Sequence, residues 1–350
     1  MTGEPPSIVL VEKPIVPRRS LRRTLAASSV VLITMGSLEG LVRMWGYSRS
    51  QIYDPIYRPF EKTDEIPYIH KANLIQARAR GLAIISTDGL GLRTTGGGRV
   101  PGPKPPGEYR IALVGDSVTF GEGVERTENT FAQVLERTLN RGQPVTARVL
   151  NFGASGYSVK EMALTLQYRI LDIQPDLAVM AIIPADFDLA RTPAIDGSGY
   201  LIDRRLFRFS PADSMTRRAL RGLHLAYVLR DAGVRWFFKP AADFRQALSE
   251  GQIPESYRYL REFKSTAEQN RLSYVIALLP GPPGKVWGAL PGQLERDRVR
   301  HVDLSFLSSE FSEEEYRASR FDPHPSSAVH RRIGEALAAY VREESLIGTR

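Results

Sequence analysis

Hydrophobic and polar positions divide the 350-residue chain into three stretches of different character. The first is a mostly apolar run from Leu25 to Val42, behind the pairs Arg18-Arg19 and Arg22-Arg23. The second, 46–107, shows no sustained period. It is rich in tyrosine, glycine and proline and reads as an extended arm with one hairpin across Ile84 to Leu92. The third begins after Pro106 and alternates short apolar runs with segments of helical period. Arg110–Val114, Ala147–Asn151, Leu177–Ile183, Tyr274–Leu279 and Val299–Leu304 read as strands of a buried parallel sheet. Between them, Glu128–Asn140 gathers Phe131, Val134, Leu135 and Leu139 on one helical face. Ser158, with Glu161 three residues on, forms a capping box. Tyr257–Asn270 and a terminal helix bearing Val329, Ile333, Leu337 and Val341, opened by Ser326 or Ser327, complete the series. This alternation predicts an α/β fold in three layers, α/β/α, around a parallel, doubly wound sheet.

The apolar run decides the organisation of the N-terminal part. A bilayer core needs about 20 apolar residues. Leu25–Leu38 is shorter, but continuing to Trp45 reaches that length, with Glu39 and Arg43 near the far end at headgroup level. A secretory signal peptide is the rival reading, since a basic start and a short apolar core suit it too. Gly36-Ser37-Leu38-Glu39 is a poor cleavage site, however. A buried amphipathic helix would not need four arginines at its mouth. The pattern therefore predicts a tail at 1–24, one transmembrane helix at 25–45, the arm at 46–107 and the α/β domain at 108–345. Basic residues at the N-terminal flank orient that end to the cytoplasm and the domain to the periplasm or cell exterior.

Composition removes several function classes. With 42% hydrophobic and 25% charged residues, the chain is neither disordered nor collagen-like. It has no cysteine, which excludes disulfides, thiolate zinc sites and a cysteine nucleophile. The formal charge of +8 is unevenly placed. Within an insertion at 191–252, nine basic residues from Arg204 to Lys239 face only Asp213 and Asp231, with leucines interleaved. Such a basic amphipathic segment suits an anionic membrane or an acidic substrate, and equally a lid helix with solvated arginines. No nucleic-acid-binding motif accompanies the charge, so nucleic acid is not an expected partner.

Ligands of parallel α/β sheets sit beyond the carboxyl ends of the strands. Four segments stand there or before the last helix: Gly115-Asp116-Ser117 with Thr119-Phe120-Gly121, Asn151-x-Gly153-x-x-Gly156, Pro184-Ala185-Asp186-Phe187-Asp188, and Asp322-Pro323-His324-Pro325-Ser326. Together they bring a hydroxyl, backbone donors and an Asp/His pair to one edge, which is what acyl transfer needs. Singly, each has a plainer reading. Asp116-Ser117 fits a helix N-cap, and His324 a loop residue between prolines. Asp186-x-Asp188 also suits the nucleophile loop of haloacid-dehalogenase-type phosphatases, but position 190 is alanine. The glycines at 96–98 have no strand before them or helix after, and Gly281–Lys285 lacks the spacing and Ser/Thr of a phosphate loop. His70, His224, His301 and His330 show no metal-ligand spacing, and His330 falls on the solvent or packing side of its helix.

In this order and spacing, the blocks resemble those of the SGNH hydrolases, the GDSL-type esterase/lipase family. The resemblance runs from about Arg110 to Val341, and the anchor and arm look like those of membrane-tethered bacterial members. It implies a serine esterase without metal or cofactor. Ser117 would be the nucleophile, His324 the general base and Asp322 its partner, with the amides of Ser117 and Gly156 as oxyanion donors. Two positions depart from the pattern. Ala185 stands where the third block has an oxyanion-hole Asn, leaving Asp186 as a stand-in; loss of one such donor costs on the order of 10²–10³ in turnover. Asp322 lies two residues before His324, where three is common. The implied substrate is a short acyl ester on an envelope glycan or lipid. An O-acyltransferase, or a catalytically weak anchored binding or scaffold protein, is the alternative.

Overall fold

The structure is a computed structural model and describes residues 18–47, 51, 53–96, 102–141, 146–202, 222–237, 250–283 and 287–347. The apolar runs form five strands: β1 (Glu108–Gly115), β2 (Thr146–Asn151), β3 (Leu177–Ile182), β4 (Ser273–Leu278) and β5 (His301–Asp303). They lie in the order β5-β4-β3-β1-β2, and every neighbouring pair is parallel. The chain runs outward from β1 to β2, then crosses back to β3 and continues to the opposite edge. Its direction of travel therefore reverses between β1 and β3, where open sheets of this kind form their crevice.

Side chains alternate faces along each strand, as a period of two requires. Ile111, Leu113, Leu177 and Val179 enter one core, with Phe131, Leu135, Val329 and Ile333; Ala112, Val114, Ala178 and Met180 enter the other, with Met162, Leu260 and Phe263. The longer helices are α1 (Arg18–Trp45), α2 (Phe131–Leu139), α3 (Val159–Thr165), α4 (His224–Phe237), α5 (Arg258–Gln269) and α6 (Ser327–Glu343), beside shorter ones such as Leu290–Arg296 and Glu313–Tyr316. Thus α2 and α6 cover one face and α3 and α5 the other, giving the three layers. The Ser158/Glu161 capping box opens α3, and Ser326 is the N-cap of α6. Helix α2 starts three residues later than its periodicity suggests, because Thr127–Asn129 forms a separate 3₁₀ turn.

The stretch expected as an extended arm is packed instead. Ile56, Tyr57, Ile66, Tyr68, Ile85 and Leu92 are buried in the same core as Ala112 and Val114. Tyr57–Arg58 pairs with Ile69–His70, and Ala77–Arg78, Ile84–Thr87 and Arg93–Thr94 form a three-stranded antiparallel sheet that includes the expected hairpin. Its strands are two to four residues long, too short to display a period, and its tyrosines supply buried area through irregular backbone.

Helix α1 leaves Leu25, Val30, Val31, Leu32, Ile33 and Met44 exposed. Among the described residues, its segment Arg22–Trp45 is the one helix long and apolar enough to cross a membrane, by length and composition. The far end of α1 is docked on the domain. Glu39, expected at headgroup level, accepts the amides of His224 (2.9 Å) and Leu225 (2.7 Å) and so caps α4, whose first amides lack intrahelical acceptors. Trp45 stacks on Tyr47 and meets Phe321 edge-on, both at 5.3 Å between ring centroids. Residues 1–17 of the expected tail, Gly97 and Gly98, Gly284 and Lys285, and the basic residues Arg204–Arg221 and Lys239 lie outside the described residues, whereas residues 18–24 of that tail are the first turns of α1.

Candidate active site

Strand β1 ends at Gly115, and Asp116 immediately caps a helical turn, Ser117–Phe120, by accepting the Val118 amide at 2.8 Å. Ser117 is the first residue of that turn, at the carboxyl end of β1 and beside the switch point. Arg93, from the packed N-terminal segment, holds the turn from below. It donates to the carbonyls of Phe120 (3.2 Å), Gly121 (2.7 Å) and Val124 (2.8 Å) and to the Thr127 hydroxyl (3.1 Å).

Asp322 and His324 lie on a short strand, Asp322–Pro325, paired antiparallel with Arg317–Ser319. Alternate residues of a strand share a face, so the two-residue spacing places both side chains on one side. Asp322 Oδ1 lies 2.5 Å from His324 Nδ1 and also accepts the His324 amide at 3.0 Å. His324 Nε2 lies 3.0 Å from Ser117 Oγ. The structure thus brings together Ser117, His324 and Asp322 across 207 positions of sequence. Burial works hardest against charge on His324, but the Asp322 hydrogen bond and the charges of Glu122, Asp322 and Asp116 outweigh it and raise its pKa. Asp322 is held below its ordinary value: burial opposes this, and the side chain and amide of His324, with Arg80, prevail.

Gly156 lies in the loop after β2, at a φ of +83°. A Cβ there would stand 2.5 Å from Pro193 Cδ, so only glycine fits the turn without displacement. Asn151 ties this loop to the Ser117 turn, donating to the Thr119 carbonyl at 2.7 Å and accepting the Gly153 amide at 2.9 Å. Asp186 does not serve the oxyanion position expected of it. Its oxygens accept from Arg191 Nη1 (2.6 Å) and the Ile183 amide (2.8 Å), and Arg191 Nη2 reaches Asp116 Oδ2 at 2.9 Å. Two buried carboxylates therefore share one guanidinium. Burial, then the Asp116 charge, push Asp186 well above the usual carboxylate range. His330, expected on the outer or packing side of its helix, is fully buried. It accepts the Phe131 amide through Nδ1 at 3.1 Å, and burial lowers its pKa to about 3. Among the described residues, no group of three or more His, Asp or Glu is arranged to hold a metal ion.

Sequence reasoning missed Glu122, Arg191, Arg93 and Gly81. Glu122 lies 3.3 Å from His324 Nε2 and directly follows the Thr119-Phe120-Gly121 tail, so its position in that block was the available signal. Gly81, with φ +71°, packs so tightly that a Cβ would fall 2.1 Å from Asp322 Oδ2. Nothing in local spacing links residue 81 to residue 322.

No protein-family model matches the chain, and no curated protein does. Among solved structures, the chain is similar to the lipase/acylhydrolase from Enterococcus faecalis, with 10% identity, a TM-score of 0.40 and coverage of 67% of this chain and 96% of that one. It is similar to a catalytic mutant of an acetylxylan esterase from Geobacillus stearothermophilus, with 14% identity, a TM-score of 0.38 and coverage of 69% and 97%. A third structure, described as a lipolytic protein of the G-D-S-L family from Desulfitobacterium hafniense, has 14% identity, a TM-score of 0.38 and coverage of 66% and 98%. What bears on chemistry in this chain is its own line of contacts, Ser117 to His324 to Asp322, at the carboxyl edge of a five-stranded parallel sheet.

Proposed function

We propose that the chain is a membrane-tethered serine esterase of the SGNH type that acts through an acyl-Ser117 intermediate. The observation that carries this reading is the continuous line of contacts Ser117 Oγ–His324 Nε2 (3.0 Å) and His324 Nδ1–Asp322 Oδ1 (2.5 Å). His324 Nε2 takes the Ser117 proton as Oγ attacks the ester carbonyl carbon. Asp322 keeps the Nδ1–H tautomer and stabilises the imidazolium. The carbonyl oxygen becomes an oxyanion, held by the amides of Ser117 and Gly156. Its collapse breaks the bond to the alcohol oxygen, which leaves with the proton from His324. Water then attacks the acyl-enzyme with His324 again as base, releasing the acid and Ser117. Ala185 offers no side-chain donor, so the oxyanion is held by backbone groups alone and turnover is modest.

The tether is α1, and its arginine-flanked end faces the cytoplasm. The domain then lies in the periplasm or at the cell exterior. The substrate class, short acyl esters on envelope glycans or lipids, follows from the resemblance of the motif blocks. The test uses the full chain in detergent micelles with chromogenic esters from acetyl to octanoyl. Turnover by the wild type and its loss in Ser117→Ala support the reading. Equal inertness of both proteins across the series would leave an anchored binding protein. Acyl transfer to an added oligosaccharide, in preference to release to water, would instead make the enzyme an O-acyltransferase.

A further inference from the structure

Beside the base stands a carboxylate that the acyl-transfer chemistry does not use. Glu122 is 2% exposed, and its Oε2 lies 3.3 Å from His324 Nε2, the nitrogen that also faces Ser117 Oγ at 3.0 Å. Its other oxygen, Oε1, accepts the Ser155 hydroxyl at 2.5 Å. His324 Nδ1 faces Asp322 at 2.5 Å, and an ionised carboxylate only accepts, so Nδ1 carries a proton. A neutral imidazole would then leave Nε2, which faces Ser117 Oγ, as a second acceptor 3.3 Å from a Glu122 carboxylate oxygen, and two acceptors at that distance repel. A second proton, on Nε2, removes the conflict and leaves an imidazolium between two carboxylates. In that form the imidazole cannot accept the Ser117 proton.

We infer that Glu122 is a positioning residue that holds this second proton on His324 between turnovers, so that Ser117 becomes a nucleophile only where the pH is high enough to remove it. The inference rests on the reading of Ser117 and His324 as nucleophile and base, and adds how that site is regulated. The charged and titratable groups around His324 come from four elements. The Ser117 turn and its continuation supply Asp116 and Glu122, and the hairpin of His324 supplies Asp322. The N-terminal segment supplies Arg80, which bears on both Glu122 and Asp322. Helix α6 supplies His330, which burial keeps neutral. Asp116 is paired with Arg191 at 2.9 Å, and Asp322 is on the Nδ1 side. Glu122 is therefore the carboxylate that addresses Nε2. The raised pKa of His324 has the same sense: burial opposes it, and Glu122 follows the Asp322 hydrogen bond among the groups that raise it.

The test is an NMR titration of His324 in the full chain in micelles, with the resonance assigned by its loss in His324→Asn. Glu122→Gln keeps the shape and an acceptor for Ser155 but removes the charge, so the His324 midpoint moves to lower pH. Labelling of Ser117 by an alkyl fluorophosphonate, followed across pH, should shift its acidic limb in step. Below both limbs, labelling would be roughly tenfold faster for each pH unit of displacement. Ser155→Ala removes the hydroxyl that shares the Glu122 charge, leaves that charge undivided toward His324 and moves the His324 midpoint upward. An unmoved or raised midpoint in a folded Glu122→Gln protein overturns the inference. If that variant does not fold, Ser155→Ala decides: an upward shift supports the inference, and an unmoved or lowered midpoint overturns it. A wild type whose His324 responds as described but whose Ser117 is never labelled overturns the esterase reading alone.

Discussion

Arg93 reaches from the N-terminal segment into the turn that carries Ser117, and replacing it by methionine measures how firmly that segment holds the site. Arg93 is 4% exposed, and its guanidinium makes four hydrogen bonds, three of them to carbonyls just after Ser117. Burial draws its pKa down to about 9, with the charge of Glu128 opposing. A hydrogen bond from a charged donor contributes about 1.5–3 kcal/mol net of desolvation, so the four set an upper bound of roughly 6–12 kcal/mol. Bonds from one guanidinium are not additive, and part of the loss is recovered as methionine fills the site and the carbonyls relax. Arg93→Met is therefore less stable by about 3 kcal/mol, the magnitude of leaving one or two buried carbonyls unpaired. In a domain of this size each kcal/mol corresponds to about 2–4 °C, so Tm falls by roughly 6–12 °C. Thermal unfolding of the full chain in micelles, followed by near-ultraviolet circular dichroism, reads this directly. A variant within about 1 kcal/mol of wild type would refute the reasoning, because the carbonyls would then have other donors. Ester turnover at 25 °C should fall as well, since the end of the Ser117 turn is no longer held.

Three further outcomes are expected. Asp322→Asn presents an amide to Nδ1 and favours the wrong tautomer, so kcat for a chromogenic ester falls by on the order of 10⁴ while the fold persists by circular dichroism. Gly81→Ala forces a Cβ to within 2.1 Å of Asp322 Oδ2 at a φ of +71°. It should destabilise the protein by about 1–3 kcal/mol and lower kcat more than it changes KM, because the carboxylate is displaced rather than the substrate; unchanged kcat would count against the contact. His330 has a folded pKa of about 3, below its ordinary 6.5. The unfolded chain therefore binds the proton first as pH drops, and stability falls from about pH 6.5 toward pH 3. Urea unfolding at pH 6.5 and 5 should show His330→Gln losing up to about 2 kcal/mol less than wild type over that interval; equal losses would show that His330 titrates freely.

The elements of the α/β domain were legible because their signals are local. The continuous apolar run Ile111–Val114 and the capping residues Ser158 and Ser326 depend on neighbours within a few positions. The Asp322-x-His324 spacing looked short only until that segment proved to be a strand, in which alternate side chains share a face. The stretch 46–107 was misread for the opposite reason. Its strands are too short to carry a period, and its buried tyrosines find partners far along the chain: Tyr68 donates to the Ser155 carbonyl at 2.5 Å and packs against Tyr157.

Read as sequence alone, the chain specifies a parallel α/β sheet, an apolar N-terminal helix, and a serine, a histidine and an aspartate assigned to one edge. These follow from periodicity and motif order, which a linear string records. The tertiary structure decides the rest: Asp186 bound to Arg191 instead of facing an oxyanion, Arg93 and Gly81 built into the site from the N-terminal segment, and Glu122 set against His324 Nε2. Each of these is a contact within a few ångströms that depends on how several segments pack. Its electrostatic consequence depends on burial, which no spacing in the sequence encodes.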